Sequence, residues 1–304
     1  MMQLPERVTL CEVGPRDGFQ FEEKFIPTDL KLEVIRALAD AGLPIIQVTS
    51  FVHPKWVPQM ADAEALCRRL PERDDVRYTG LALNTKGVER AHRAGLHYVD
   101  LSIATNERHS RDNANMTVAE AVEQAVEMVQ MARAYDMQAQ MGFQTVFGYA
   151  RPGDTPLDKV LDMAKRFVDL DIESLSLADS TGMANPVMME ERLSAVKEVV
   201  GDTPLVLHLH DTRGLGLANV IAALRCGVSR FDTSLGGLGG CPFIPGATGN
   251  IATEDTVYLL ESVGLDTGID LDAVAAVSQR VEAFLGKELP GKLHRLVRRG
   301  AEVS

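Results

Sequence analysis

The feature that most limits what this chain can fold into is an alternation: short β-branched or alternating apolar runs recur about eight times, separated by stretches with helical spacing. The runs are VTLCEV (8–13), IIQVTSF (45–51), YTGLAL (78–83), YVDLSI (98–103), QAQMGFQTVF (138–147), SLSLADS (174–180), LVLHLHD (205–211) and RFDTSLG (230–236). Of the helical stretches, TDLKLEVIRALADAG opens on Thr28 as the expected N-cap and stops at Gly42, and TVAEAVEQAVEMVQMARAYDM places apolar residues three and four apart. TPLDKVLDMAKRFVDLD, NPVMMEERLSAVKEVVG and LANVIAALRCGV follow, with Pro just inside the start or Gly just past the end. Strands that alternate with helices predict an α/β fold with a parallel sheet, and eight units without a break in composition predict a closed (β/α)8 TIM barrel. An open doubly wound sheet is the alternative, but the turn after its first strand would normally read GxGxxG, and here it reads GPRDG. The barrel is expected over about residues 6–265 of a single catalytic domain, 1–304. An additional C-terminal helix, DLDAVAAVSQRVEAFLG, and the basic GKLHRLVRRG form an appendage over about 266–304, packed outside the barrel or at a subunit contact, where it could support a homodimer.

Charge narrows the partners. With 31 basic against 43 acidic side chains the net charge is −12, which disfavours nucleic acid and anionic membrane surfaces, and no apolar run is long enough to span a bilayer. An anionic ligand would need local cations, for which Lys55, Arg108, Arg111, Lys292, Arg295, Arg298 and Arg299 are candidates. The opening MMQLPERVTLCEVG has the order of neither a secretory signal nor a transit peptide, and Cys11, Cys67, Cys226 and Cys241 form no CxxC pair, so a cytoplasmic address is expected.

Barrel enzymes place their chemistry at the C-terminal ends of the strands. The first run ends toward Arg16 and Asp17, the seventh at His208, His210 and Asp211, and the eighth leads into GGLGGCPFIPGATGN. Residues two apart on a strand face the same side, so with Leu207 and Leu209 toward the helices the histidines face the barrel interior. Closure makes strands 7, 8 and 1 neighbours, which lets Asp17 meet both imidazoles in a set suited to a divalent metal. A pair of satisfied interior histidines remains the alternative, as does a turn or cap role for Asp17. Cys241 stands in a glycine-rich loop that reads equally as an accessible thiol, a flexible turn or a phosphate cradle.

CEVGPRDGFQ, TSFVHPKWVPQM, LHLHDTRGLGLANVIAALRCGV and GGLGGCPFIPGATGNIATEDTVYLLE resemble the 3-hydroxy-3-methylglutaryl-CoA (HMG-CoA) lyases, within the wider group of barrel metal-dependent lyases and acyl-CoA condensing enzymes, over roughly residues 6–285. The resemblance implies retro-Claisen cleavage of an acyl-CoA substrate, with Asp17, His208, His210 and Asn250 ligating Mg2+ or Mn2+. It implies Arg16 at the thioester carbonyl, Asp17 as proton relay, Cys241 as the proton donor to C2, and Gln20, Gln47, Ser50 and Asp179 on the substrate. Three segments depart from the family. Gln47 stands where the lyases usually carry Glu; Phe21, Glu22 and Glu23 stand for Asn, Glu and Lys; and FQTVFGYARPGD lacks a GCPYEG stretch. These leave open a related 3-hydroxy-3-carboxy acyl-CoA as substrate, such as citramalyl-CoA or a 3-alkyl analogue. A condensing synthase or aldolase, or a barrel that only binds an acyl-CoA, are the readings from other classes.

Overall fold

The structure, a computed structural model, describes residues 4–240 and 248–296. Eight parallel strands close into a barrel in sequence order, β1 pairing with both β2 and β8. They are β1 (Thr9–Glu12), β2 (Ile45–Ser50), β3 (Arg77–Ala82), β4 (Tyr98–Ala104), β5 (Gln138–Gln144), β6 (Ser174–Asp179), β7 (Leu205–Leu209) and β8 (Arg230–Thr233). Strands of this kind, covered by helices outside and packed side chains inside, read as nearly continuous apolar runs, which is why each was visible in the sequence.

Helices return the chain between strands: α1 (Thr28–Asp40), α2 (Ala63–Cys67), α3 (Thr85–Arg93), α4 (Glu107–Ala114), α5 (Val118–Ala134), α6 (Leu157–Val168), α7 (Pro186–Val200) and α8 (Gly216–Arg225), followed by α9 (Thr253–Ser262) and α10 (Leu271–Leu285). Thr28 is not the cap expected of it. Pro27 holds the extended cap position and Thr28 is already helical, its hydroxyl donating to Asp62 Oδ2 at 2.7 Å. On α5, Thr117 and Glu120 form a reciprocal capping box.

The N-terminal end of the barrel is closed by charge: Glu173 accepts from Arg77 at 2.8 Å and from Arg230 at 2.9 Å. At the opposite end the C-terminal appendage packs on the barrel. The buried Leu289 lies against Gly236, and Gly291 N–H donates to Gly236 C=O at 2.7 Å. Asp255 accepts from the backbone N–H groups of Lys292 and Leu293. This segment therefore braces the start of the loop after β8. Among the described residues no helix is long and apolar enough to cross a membrane.

Candidate active site

The C-terminal mouth opens into a cavity of about 490 Å³ whose wall includes Arg16, Asp17, Gln20, Gln47, His208 and His210. Arg16 and Asp17 do not extend β1. They ride on a π-helical turn, Gly14–Gly18, that bends the chain over the barrel mouth. Buried Glu12 shapes the bend: one carboxylate oxygen accepts from Gly14 N–H at 2.8 Å and Leu235 N–H at 2.9 Å, the other from the Thr253 hydroxyl at 2.7 Å. A β-carbon at position 14 would fall 2.6 Å from that Glu12 oxygen, so the turn requires glycine. Glu12 thus ties the turn bearing Asp17 to both ends of the loop after β8.

β7 stops one residue before His210, where the sequence predicted it would continue to Asp211. His210 instead forms an isolated antiparallel bridge with Asn250, and Asp211 N–H donates to Gly249 C=O at 2.8 Å. The chain returning from the loop competes successfully for the backbone groups that β8, ending at Thr233, leaves unpaired.

The alternation of β7 sorts its side chains as expected: Leu207 and Leu209 are fully buried on the helix side, and both imidazoles open on the cavity. One ligand atom from each of Asp17, His208 and His210 falls within 4.8 Å of the others. His208 and His210 approach Nε2 to Nε2 at 3.2 Å, and His208 Nε2 lies 4.0 Å from Asp17 Oδ2. Asn250 donates through Nδ2 to Asp17 Oδ2 at 2.7 Å and to Leu238 C=O at 3.0 Å, while its buried Oδ1 has no partner among the described residues.

A neighbouring carboxylate sets the tautomer. His208 Nδ1–H donates to Asp232 Oδ2 at 3.2 Å, from the register partner on β8, which leaves the Nε2 lone pair facing Asp17 and His210. Burial works against charge on His208, yet the Asp232 hydrogen bond and the charges of Asp17 and Asp232 raise its pKa. Burial and the adjacent His208 push His210 down to about 3, so it is neutral. Asp17 is held below the usual carboxylate range: burial opposes this, but Arg16, the two histidines and Asn250 outweigh it. An ionised carboxylate, two imidazole lone pairs and an orphaned amide oxygen at one spot fit a divalent cation.

Around this cluster Arg16 Nε donates to Gln47 Oε1 and its Nη1 to Asp17 Oδ1, and Gln20 Nε2 donates to the same Asp17 oxygen at 2.9 Å. Ser50 and Asp179 are not on the cavity wall. Ser50 is fully buried, and Asp179 accepts from Met183 and Ala184 N–H at 2.9 and 3.0 Å, organising the turn after β6. Cys241, Arg298 and Arg299 lie outside the described residues; Gly240, which precedes Cys241, lines the cavity. Of the divergent residues, Phe21 lines the cavity, whereas Glu22 turns away to Lys287 Nζ at 2.8 Å.

Three carboxylates, Glu12, Asp100 and Asp232, escaped the sequence reading. The inward parity that selects the histidines also falls on Asp100 in YVDLSI and Asp232 in RFDTSLG, each a lone acid in an apolar run. His109 on α4 also faces the cavity, neutral because burial pushes it down to about 4.

Hydroxymethylglutaryl-CoA lyase of Bacillus subtilis is 37% identical over 291 residues, covering 96% of this chain and 97% of that protein. The mitochondrial hydroxymethylglutaryl-CoA lyase of Mus musculus is 38% identical over 293 residues, 96% of this chain and 90% of that one. Among solved structures, an HMG-CoA lyase from Acinetobacter baumannii in complex with coenzyme A and 3-methylmalate superposes with a TM-score of 0.92 at 38% identity, over 100% of this chain and 99% of that one. The family profile described as HMGL-like matches residues 7–281, and with the barrel and its mouth so arranged, the chain belongs to that family.

Proposed function

We propose that this chain is a divalent-metal-dependent carbon–carbon lyase that cleaves 3-hydroxy-3-methylglutaryl-CoA to acetyl-CoA and acetoacetate. The observation that carries the reading is the meeting of Asp17, His208 and His210 beside Arg16 at the barrel mouth. Relatives named for this activity support it over nearly the whole chain.

Asp17, His208 and His210 would hold Mg2+ or Mn2+, with the Asn250 side chain as fourth ligand. The ion, when bound, would acidify the substrate's tertiary hydroxyl and hold the leaving ketone. Asp17, kept ionised by Arg16 and its neighbours, takes the hydroxyl proton. The C2–C3 bond then breaks, and its electron pair passes into the thioester as an enolate. Arg16 faces that enolate oxygen with a guanidinium already oriented by Gln47. Cys241, next in the chain to Gly240 on the wall, returns a proton to C2, so protons and electrons balance without an outside donor.

The wall also favours one second reading. Phe21, Trp56, Val57 and Leu83 make one side of the mouth apolar, which suits a 3-hydroxy-3-carboxy acyl-CoA with a bulkier branch at C3. Chelated enzyme given HMG-CoA, citramalyl-CoA or a longer 3-alkyl analogue, each with Mg2+ or Mn2+ restored, separates the readings. Metal-dependent acetoacetate from HMG-CoA as the fastest reaction supports the first; faster cleavage of citramalyl-CoA or of the 3-alkyl analogue replaces it with the second, and no cleavage of any of them sinks both.

A further inference from the structure

Arg16 is the sole Lys or Arg on the cavity wall among the described residues, and its side chain is only 11% exposed. Two groups aim it. Asp17 is already shared with the histidine cluster and Asn250, so the contact left to fix the guanidinium is Gln47. An amide, however, is nearly symmetric in shape: it presents a carbonyl to Arg16 only if its NH2 end is claimed elsewhere.

Asp100 makes that claim. Gln47 Nε2 donates to Asp100 Oδ2, and the Thr79 hydroxyl donates to the same oxygen at 2.6 Å. An ionised carboxylate can only accept, so it holds the NH2 end of Gln47 and turns the carbonyl toward Arg16. The chain Thr79–Asp100–Gln47–Arg16 crosses three adjacent strands, β4, β3 and β2, before reaching the turn after β1. A β-bulge follows Gln47 in its pairing with β3, a place where strands commonly re-aim a side chain.

We propose that Asp100 is a positioning residue for the reaction: through Gln47 it fixes the orientation of Arg16, and it supplies the negative charge that faces the guanidinium when Asp17 is engaged with a cation. The proposal takes its probes, though not its geometry, from the acyl-CoA lyase reading.

Asp100→Asn keeps an acceptor for Gln47 and Thr79 but removes the charge and the fixed polarity. The double variant Gln47→Glu/Asp100→Asn keeps the two volumes and moves the carboxylate one residue closer to Arg16. We expect Asp100→Asn to lower kcat on HMG-CoA about tenfold, less than the roughly hundred- to thousand-fold cost of removing an oxyanion donor outright, because Arg16 itself stays in place. It should also weaken acetyl-CoA binding while leaving free CoA, which lacks the thioester carbonyl, unchanged; the double variant should recover most of both losses. Wild-type values in Asp100→Asn, or a double variant no better than the single one, would overturn the proposal. If Asp100→Asn does not fold, Thr79→Val, which removes the second donor to Asp100, must weaken acetyl-CoA relative to CoA, and an unchanged ratio overturns it. A wild type that binds acetyl-CoA without cleaving HMG-CoA rejects the proposed activity while the binding ratio still reads the role of Asp100.

Discussion

Glu12 shows how one residue couples the site to solution conditions. It is fully buried, and burial outweighs its three hydrogen bonds to push its pKa from 4.5 up to about 8. A carboxyl that holds its proton more tightly folded than unfolded stabilises the fold fully below its unfolded value, and that contribution is lost as pH rises through about 8. Glu12→Gln keeps acceptors for Gly14 and Leu235 and a donor for the Thr253 oxygen, and it cannot ionise. Urea unfolding should therefore show the wild type losing stability relative to Glu12→Gln between about pH 5 and about pH 8; parallel curves would mean that Glu12 does not titrate there. Cys241 gives a kinetic prediction at the same scale. If it supplies the C2 proton, Cys241→Ala lowers kcat by roughly two orders of magnitude, the range of one lost acid–base group, while Mn2+ affinity stays at the wild-type value. Turnover that survives the change assigns the proton to another group.

At the scale of elements, the functional part of the sequence is a junction. The segment returning after β8 crosses itself where Gly239 meets Gly249, and it then bridges to His210 through Asn250. Gly249 has φ +93°, and a β-carbon there would lie 2.5 Å from the Gly239 carbonyl carbon, a backbone atom that no rotamer change can move. Gly249→Ala must shift the segment that carries Asn250. We expect Mn2+ affinity by calorimetry to fall at least about tenfold, within the cost of a side chain forced to positive φ, with the far-UV circular dichroism of the barrel retained. Unchanged affinity would show that Asn250 does not depend on this crossing. The same junction explains what could be read in advance. Strands and long helices were legible because their apolar periodicity is local. The short α2 and the polar α3, TKGVERAHR, carry too little apolar surface to announce themselves and are held by tertiary packing. In the site, His208, His210 and Asp17 followed from strand parity and barrel closure. Asn250 followed only from family resemblance, because a bridge outside any strand places it. Asp100 and Asp232 were missed because their partners, Gln47 and His208, come from other strands, so the sequence around each shows a lone acid.

Across the whole molecule, the cluster joins parts of the chain that nothing local holds together. Asp17 belongs to the turn after β1, His208 and His210 to β7 and its end, and Asn250 to the segment after β8. The link across the barrel seam between β8 and β1 runs through four-residue strands, the shortest in the barrel. A cation held by all three parts would staple that seam, and because the unfolded chain keeps these residues apart, its binding energy would enter folding stability directly. Free metal at one hundred times Kd should add about 2.7 kcal/mol. For a chain of this size that corresponds to a rise in Tm of roughly 5 °C. Excess EDTA should return the Tm to its starting value, and His210→Ala should remove the shift without removing the folded baseline. Melting curves that coincide with and without Mg2+ or Mn2+ would show that Asp17, His208 and His210 hold each other rather than an ion. The satisfied histidine pair would then be the correct account of LHLHD.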